Sequence, residues 1–291
     1  MASANRVIGV DLGGTKILAG VVDADGRVHE TAERPTVTSS QEALLDEVAA
    51  LVLELPQDRV GAVGFGIPSR VDQRTGIALG AVNIPLHEVD FRGEMSRRLG
   101  LPVAIENDAG AAAFGEFRLG GGRGTQDLVL LTLGTGVGGG VVIDGKLFHG
   151  WAELGHMAIV ADGEPCQGSC TGRGHVESYC SGTAAERLAR RELGPGGTAR
   201  ELVRLRHPAL GELGHLLGVA IGTLVNVFNP QAVVIGGGFG VAAFDLLQPA
   251  ALKAIRTEAL APAGDLLELR PAELGATAGM IGAGLIAFEA L

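Results

Sequence analysis

The chain has 291 residues, 46% of them apolar, and 33 acidic against 23 basic side chains leave it a formal net charge of −10. That length allows two domains and a sizeable core, while the acidic balance argues against a nucleic-acid surface and against an anionic membrane. No apolar run approaches the roughly 20 residues of a membrane span, and the polar start Met1 to Arg6 has no signal-peptide core, so the cytoplasm is the expected location.

Val7 to Val10 reads as a short strand ending in Asp11-Leu12-Gly13-Gly14-Thr15-Lys16, after which Ile17 to Val22 resumes as strand and Asp23 to Gly26 turns. Ser39 to Glu42 resembles a capping box, followed by Leu44, Val48, Leu51, Val52 and Leu55 on one helical face. Val60 to Ile67 is a strand, Asn83-Ile84-Pro85 closes a loop after it, and Arg92 to Leu99 is a short helix. Next, the apolar run Val103-Ala104-Ile105 stops at Glu106-Asn107-Asp108 and an alanine-rich segment begins, so a strand runs into a helix. Asp108 then sits at the helix N-terminus, where exposed N–H groups and the dipole favour an ionised carboxylate. On position alone an N-cap explains it.

Residues 128 to 148 repeat the opening plan: an apolar strand Leu128 to Thr132, a turn from Leu133 to Gly140, strand Val141 to Ile143, and an Asp144-Gly145 turn. Two copies of one unit imply two domains of like design facing each other across a cleft. Gly134 to Gly139 also matches G-x-G-x-x-G, but a dinucleotide fingerprint needs a helix after it, and here a strand follows. What remains is a pair of glycine-threonine turns whose N–H groups and hydroxyls can surround phosphate oxygens. Further on come Trp151 to Met157, then Cys166, Cys170 and His175, helix Thr183 to Leu193, and a nearly all-apolar helix Gly211 to Phe228. Strand Ala232 to Ile235 meets Gly236-Gly237-Gly238, and helices Phe244 to Ala259 and Thr277 to Ala290 close the chain. Three cysteines, Cys166, Cys170 and Cys180, point to a metal or a thiol rather than a disulfide, with Cys180 on a helix as core.

These motifs, in their order and spacing, resemble the ROK family of sugar kinases, within the actin, Hsp70 and hexokinase-like superfamily. The carriers are Asp11 to Lys16, Glu106-Asn107-Asp108, Leu133 to Gly140, Glu153-Leu154-Gly155-His156, the Cys/His cluster ending in Glu177, and Gly236 to Gly238. The resemblance implies an α/β fold of two actin-like (ribonuclease H-like) domains. The expected division is 1–108 with 278–291 as the smaller domain, its last helix packed back, and 109–277 as the larger, with the zinc-binding loop. It also implies ATP-dependent phosphorylation of a hexose with Asp108 as base, and zinc near the sugar.

On that reading Asp11, Gly13, Gly14, Thr15, Lys16, Gly134, Thr135, Gly136, Gly138, Gly236, Gly237 and Gly238 hold the phosphates of ATP, Asp11 reaching Mg²⁺ directly or through water. The sugar contacts are Asn83, Asn107, Asp108, Glu153, His156 and Glu177, since a polyhydroxyl ligand needs groups that accept as well as donate. His156, Cys166, Cys170 and His175 supply four ligands for tetrahedral zinc. The family's usual pattern is C-x-C-x4-C; here His175 stands for the third cysteine and the first gap is two residues longer. Ser69 and Gly110 stand where the family usually has Gly and Asn. Glucokinase is the favoured activity, with N-acetylmannosamine, fructose or another hexose as other acceptors and polyphosphate as another donor. A sugar-sensing repressor would need a DNA-binding domain before the first hairpin, for which Asp11 leaves no room, and a non-catalytic sugar-binding protein would be expected to lack Asp108 or a turn. A homodimer or homotetramer is expected.

Overall fold

Two five-stranded sheets of one plan carry the chain. The computed structural model describes residues 5–291. Its first unit is residues 5–119 with His149–Trp151 and Ala276–Leu291, and its second is Gly120–Phe148 with Ala152–Gly275.

In the first unit β1 (Arg6–Leu12), β2 (Lys16–Asp23) and β3 (Val28–Pro35) form an antiparallel meander. Helix α1 (Gln41–Glu54) leads to β4 (Val60–Ile67), which pairs parallel with β1. Ser40 caps α1 by accepting from the Ala43 N–H at 3.2 Å, so the cap lies one residue beyond the Ser39 of the expected box. A small sheet, β5 (Ser69–Asp72), β6 (Ile77–Ala81) and β7 (Val89–Asp90), precedes α2 (Phe91–Leu99). Then β8 (Val103–Asn107) completes the main sheet beside β4 and runs straight into α3 (Asp108–Leu119).

Both faces of β1 are covered, which is why it reads as a continuous apolar run. Ile8, Val10 and Leu12 pack with Leu44, Val48 and Leu51 of α1, and Val7 points the other way to Ala287. That second face belongs to the closing helix α10 (Ala278–Ala287), whose backbone lies against Gly9 of β1 and Gly64 of β4, where a Cβ would meet the Met280 and Ala283 carbonyls. A Cβ on Gly279 would lie 2.8 Å from the Asp11 carboxyl. Helix α3 packs on α10 through Gly115 and Gly282 and so belongs with the first unit. The first unit therefore runs to Leu119, past the expected boundary at 108, because α3 packs on the closing helix of that unit.

The second unit repeats the order with β9 (Leu128–Leu133), β10 (Val137–Ile143) and β11 (Lys146–Leu147) as the antiparallel meander. The chain then passes through the Cys/His segment to α4 (Val176–Cys180), α5 (Gly182–Leu193), α6 (Ala199–Arg204) and α7 (Leu210–Phe228). Next, β12 (Ala232–Gly236) pairs parallel with β9, and α8 (Gly238–Glu258), α9 (Ala263–Leu266) and β13 (Glu268–Pro271) follow. Helix α8 starts at Gly238, not near Phe244, because Gly237 alone turns the chain out of the strand. Contrary to the sequence reading, one apolar run does reach membrane-spanning length: the 19 residues of α7 are long and apolar enough. Leu213, Leu217, Ile221 and Leu224 on α7 are buried with Leu247, Ala251 and Ile255 of α8, so it serves here as a core helix.

Candidate active site

The first unit supplies an acidic junction and a short turn. Asp108 is the first residue of α3, and its Oδ1 accepts from the Ala109 N–H at 2.8 Å. The capping is shared, however, with Asn107, whose Oδ1 accepts from the N–H groups of Ala109 and Gly110 at 3.0 and 3.3 Å. An Asn spanning two orphan donors is an N-cap in its own right, so Asp108 is not required for that task. Asn107 also donates from Nδ2 to the Ser69 carbonyl at 3.3 Å, leaving one amide hydrogen for a ligand. Ser69 itself is buried, its hydroxyl donating to the Gly80 carbonyl at 3.0 Å, so this departure from the family pattern tightens the β5–β6 pairing.

The turn between β1 and β2 is Gly13 to Thr15. Asp11 and Leu12 belong to β1 and Lys16 to β2, where the Lys16 amine meets Glu33 at 2.7 Å. The Gly13 N–H donates to the Lys16 carbonyl at 2.9 Å, and the Thr36 hydroxyl donates to the Gly13 carbonyl at 2.7 Å. Gly14 and Thr15 stay exposed, and Asn83 stands beside the turn, its Cβ 3.3 Å from where a Gly14 Cβ would be. Burial pushes the Asp11 carboxyl up to about 6, against the pull of Lys16. A single carboxylate beside a phosphate turn suits Mg²⁺, which keeps several waters and binds through one or two carboxylates plus phosphate.

The second unit's turn is shorter than expected, Gly134 to Gly136. Gly138, Gly139 and Gly140 lie in β10, paired with Thr132, Leu131 and Leu130. At Gly139 smallness serves packing, since a Cβ there would meet Leu154 at 2.6 Å. Gly138 therefore lies in the strand that follows the turn rather than in the expected turn itself. The turn is held from three sides. The Gly182 N–H donates to the Gly134 carbonyl at 2.6 Å, the Thr183 hydroxyl to the Thr135 carbonyl at 2.8 Å, and the Val137 N–H to Glu177 Oε2 at 2.9 Å.

Beside this turn opens a cavity of about 540 Å³, lined by Gly134, Thr135, Thr183, Glu186, Arg200 and Phe239 among others. The N-termini of α5 at Gly182 and α8 at Gly238 both reach it. A helix N-terminus presents N–H groups and a positive dipole end, a ready site for phosphate; α8 starts without a side-chain cap, whereas at α5 the Gly182 and Ala184 N–H groups are bonded to Gly134 and Ser181. Gly238 lines the cavity, Gly237 precedes α8, and Gly236 ends β12. Thr183, Glu186, Arg200 and Phe239 were not singled out from the sequence: Thr183 and Glu186 read as scaffold on an expected helix, and Arg200 and Phe239 fall outside the expected elements. The Ser181-Gly182-Thr183 helix start was the available signal.

His156, Cys166, Cys170 and His175 come together, their ligand atoms all within 4.8 Å of one another. His156 Nδ1 lies 3.4 Å from His175 Nδ1 and 3.6 Å from Cys166 Sγ, and Cys170 Sγ lies 3.6 Å from His175 Nδ1. A tetrahedral zinc ion at about 2.1 Å from nitrogen and about 2.3 Å from sulfur has edges of about 3.4 and about 3.6 Å. The donor set fits in both chemistry and shape. Cys180 stands apart, buried at the end of α4, where burial raises its thiol. Glu153 is exposed and opens the 3₁₀ turn Leu154–His156, while Glu177 spans two roles: Oε2 on the Val137 N–H and Oε1 3.9 Å from Cys166 Sγ.

A family model described as the ROK family matches residues 7–290. The glucokinase of Streptomyces coelicolor is 35% identical to this chain, the match covering 97% of each. Among solved structures, a ROK hexokinase from Thermus thermophilus superposes with a TM-score of 0.85 at 33% identity, covering 98% of both chains. A ROK family glucokinase from Streptomyces griseus, solved in complex with glucose and AMPPNP, gives 0.83 at 33% identity over 98% of this chain and 99% of that one. The relatives also include the xylose repressor of Bacillus subtilis, 28% identical over 97% of this chain and 77% of its own length.

Proposed function

Because the chain belongs to the ROK family and shares the actin-like two-domain fold of its sugar kinases, we propose that this sugar kinase is a glucokinase using ATP, with Asp108 as its general base. In the reaction, the 6-hydroxyl oxygen of glucose bonds to the γ-phosphorus as the bond from that phosphorus to the β,γ-bridging oxygen breaks. ADP leaves, and the hydroxyl proton passes to the Asp108 carboxylate. Such a transfer is catalysed mainly by positioning and charge stabilisation.

Asn107 bonds the Ala109 and Gly110 N–H groups of the first turn of α3, and Asp108, the first residue of that helix, orients the hydroxyl. Asn83, Asn107, Glu153, His156 and Glu177 contact the remaining hydroxyls. The Gly13–Thr15 and Gly134–Gly136 turns, with the α8 N-terminus at Gly238, hold the phosphates. Asp11 is the carboxylate for Mg²⁺, which when bound offsets the phosphate charge. His156, Cys166, Cys170 and His175 hold a zinc ion, which fixes the direction of His156 Nε2 and the start of α4 before Glu177.

The observation that carries this reading is the cavity of about 540 Å³, where a glycine-threonine turn meets two helix N-termini. A coupled assay over a panel of sugars, with ATP and with polyphosphate, tests it. Glucose with ATP is expected to give the highest kcat/KM. A higher value for N-acetylmannosamine, for fructose or with polyphosphate would replace it, and absence of turnover with every pair would favour sugar sensing, the role suggested by the repressor relative. Cytoplasmic location and a homodimer or homotetramer are part of the same proposal, the latter checked by sedimentation.

A further inference from the structure

Glu106, two residues before Asp108, is a buried carboxylate with 6% exposure. Its two oxygens are fully engaged. Oε2 accepts from Gln73 Nε2 at 2.8 Å and lies 3.0 Å from His149 Nδ1, and Oε1 accepts from the Asn107 N–H at 2.8 Å. Gln73 is held in turn, donating to the Ile105 carbonyl at 3.0 Å while Arg92 donates to its backbone carbonyl at 2.9 Å. A buried carboxylate without a cationic partner is costly. Among the described residues His149 is the cation-forming side chain bonded to it, since Arg92 reaches only Gln73.

His149 is held in that place by more than one contact. The segment His149–Trp151 belongs to the first unit although the residues on both sides of it belong to the second. Two contacts explain this: the His149–Glu106 pair, and the Arg70 guanidinium 5.1 Å over the Trp151 ring, a distance at which a cation is attracted to an indole face. The hydrogen bond to Glu106 raises the pKa of His149 against partial burial, with the charges of Glu106 and Glu289 adding to it.

The bonds form a relay: His149 to Glu106, Glu106 to the Asn107 N–H, and Asn107 Oδ1 to the first turn of α3. Asp108 lies inside that relay. Gly110 leaves the room it needs, since a Cβ there would come within 3.1 Å of Glu106 Oε1. We infer that His149 is a positioning residue for phosphoryl transfer: its imidazole holds the buried Glu106 carboxylate, which fixes the Asn107–Asp108 junction from which the base projects. This rests on Asp108 being the base.

The test compares wild type, His149→Ala, His149→Gln and Asp108→Asn with glucose and ATP between about pH 5.5 and 8.5, the range in which an imidazole changes charge. His149→Ala should lower kcat about tenfold near pH 6, the scale of one charge-assisted hydrogen bond, with both KM values within about twofold. The ratio of wild type to variant should shrink as pH rises and His149 loses its proton, the charged groups facing it being Glu106 and Glu289. His149→Gln, a donor without charge, should recover part of kcat with no such pH dependence. In an NMR titration the His149 imidazole should titrate above about 6.5 and return toward that value in Glu106→Gln. The inference is overturned if kcat of His149→Ala stays within about twofold of wild type at every pH, if the loss falls on KM alone, or if the ratio is flat with pH. An inactive Asp108→Asn beside an unimpaired His149→Ala would remove only the positioning role, whereas an Asp108→Asn with near wild-type turnover would remove both.

Discussion

The two sheets share strand order and direction, β3-β2-β1-β4-β8 against β11-β10-β9-β12-β13, yet their glycine turns sit in different surroundings. In the first unit the Gly13–Thr15 turn is held by Thr36, and the ionisable group beneath it, Asp11, is half-buried against Gly279 of α10. In the second unit the Gly134–Gly136 turn is braced by Gly182, Thr183 and Glu177, all from the long insertion between β11 and β12. One scaffold therefore carries two kinds of site, and the difference lies in what is inserted between like strands. The first unit holds the Asn107–Asp108 junction at the end of β8, where the proposed base sits, and the second holds the cavity and the Cys/His cluster.

Substitution of the base separates the units most sharply. Asp108→Asn is expected to lower kcat by about 10² to 10⁴ while leaving nucleotide binding to the second unit unchanged by calorimetry. Because Asn107 shares the cap of α3, its melting temperature should hardly move. Turnover near wild type would take Asp108 out of the reaction.

Loss of the metal is the corresponding experiment on the second unit. Cys170→Ser should lose zinc by elemental analysis and raise KM for glucose by about tenfold or more, the range for disturbed metal-site partners. A smaller rise in KM for ATP should accompany it, because Glu177 joins the cluster to the Val137 N–H of the phosphate turn. Protein purified without chelator that contains no zinc would end the metal proposal.

Gly136→Ala probes that bracing directly. The new Cβ would overlap Glu177 Oε2, so Glu177 or the turn must shift and the bond to the Val137 N–H is disturbed, at a cost of about 1 to 3 kcal/mol for overpacking. Isothermal titration with a non-hydrolysable nucleotide should show weaker binding, while glucose affinity changes less. Equal losses for both ligands would mean that the turn is not specific to phosphate.

The smallest effect is on stability in the first unit. Asp11 titrates near 6 in the fold, against 3.8 for the ordinary carboxyl. A raised carboxyl stabilises the fold below about pH 4, and that contribution is lost as pH rises through about 6. Asp11→Asn should therefore raise stability at pH 7 by about 1 to 3 kcal/mol, have little effect at pH 4, and still lower activity. Denaturant melts at the two pH values check the sign, and a variant less stable at pH 7 than wild type would refute it.

The strands, the two glycine turns, the junction at Asp108 and the four clustered Cys and His residues were legible in the sequence because each is a local signal. Apolar runs end at glycines, and ligand-type side chains recur at short spacing, so chain order alone reports them. What tertiary structure decided depends on partners distant in the chain. Asn107 shares the cap that Asp108 was expected to take, and Gly138 moves into β10, where Gly139 makes way for Leu154. Glu177 reaches Val137 forty residues away, and His149 reaches Glu106 across forty-three. The cavity draws Thr135, Glu186, Arg200 and Phe239 from four separate elements or turns. No periodicity encodes such meetings, because which side chains face one another is set by how helices and sheets pack, and burial shifts a carboxyl such as Asp11 only once that packing exists.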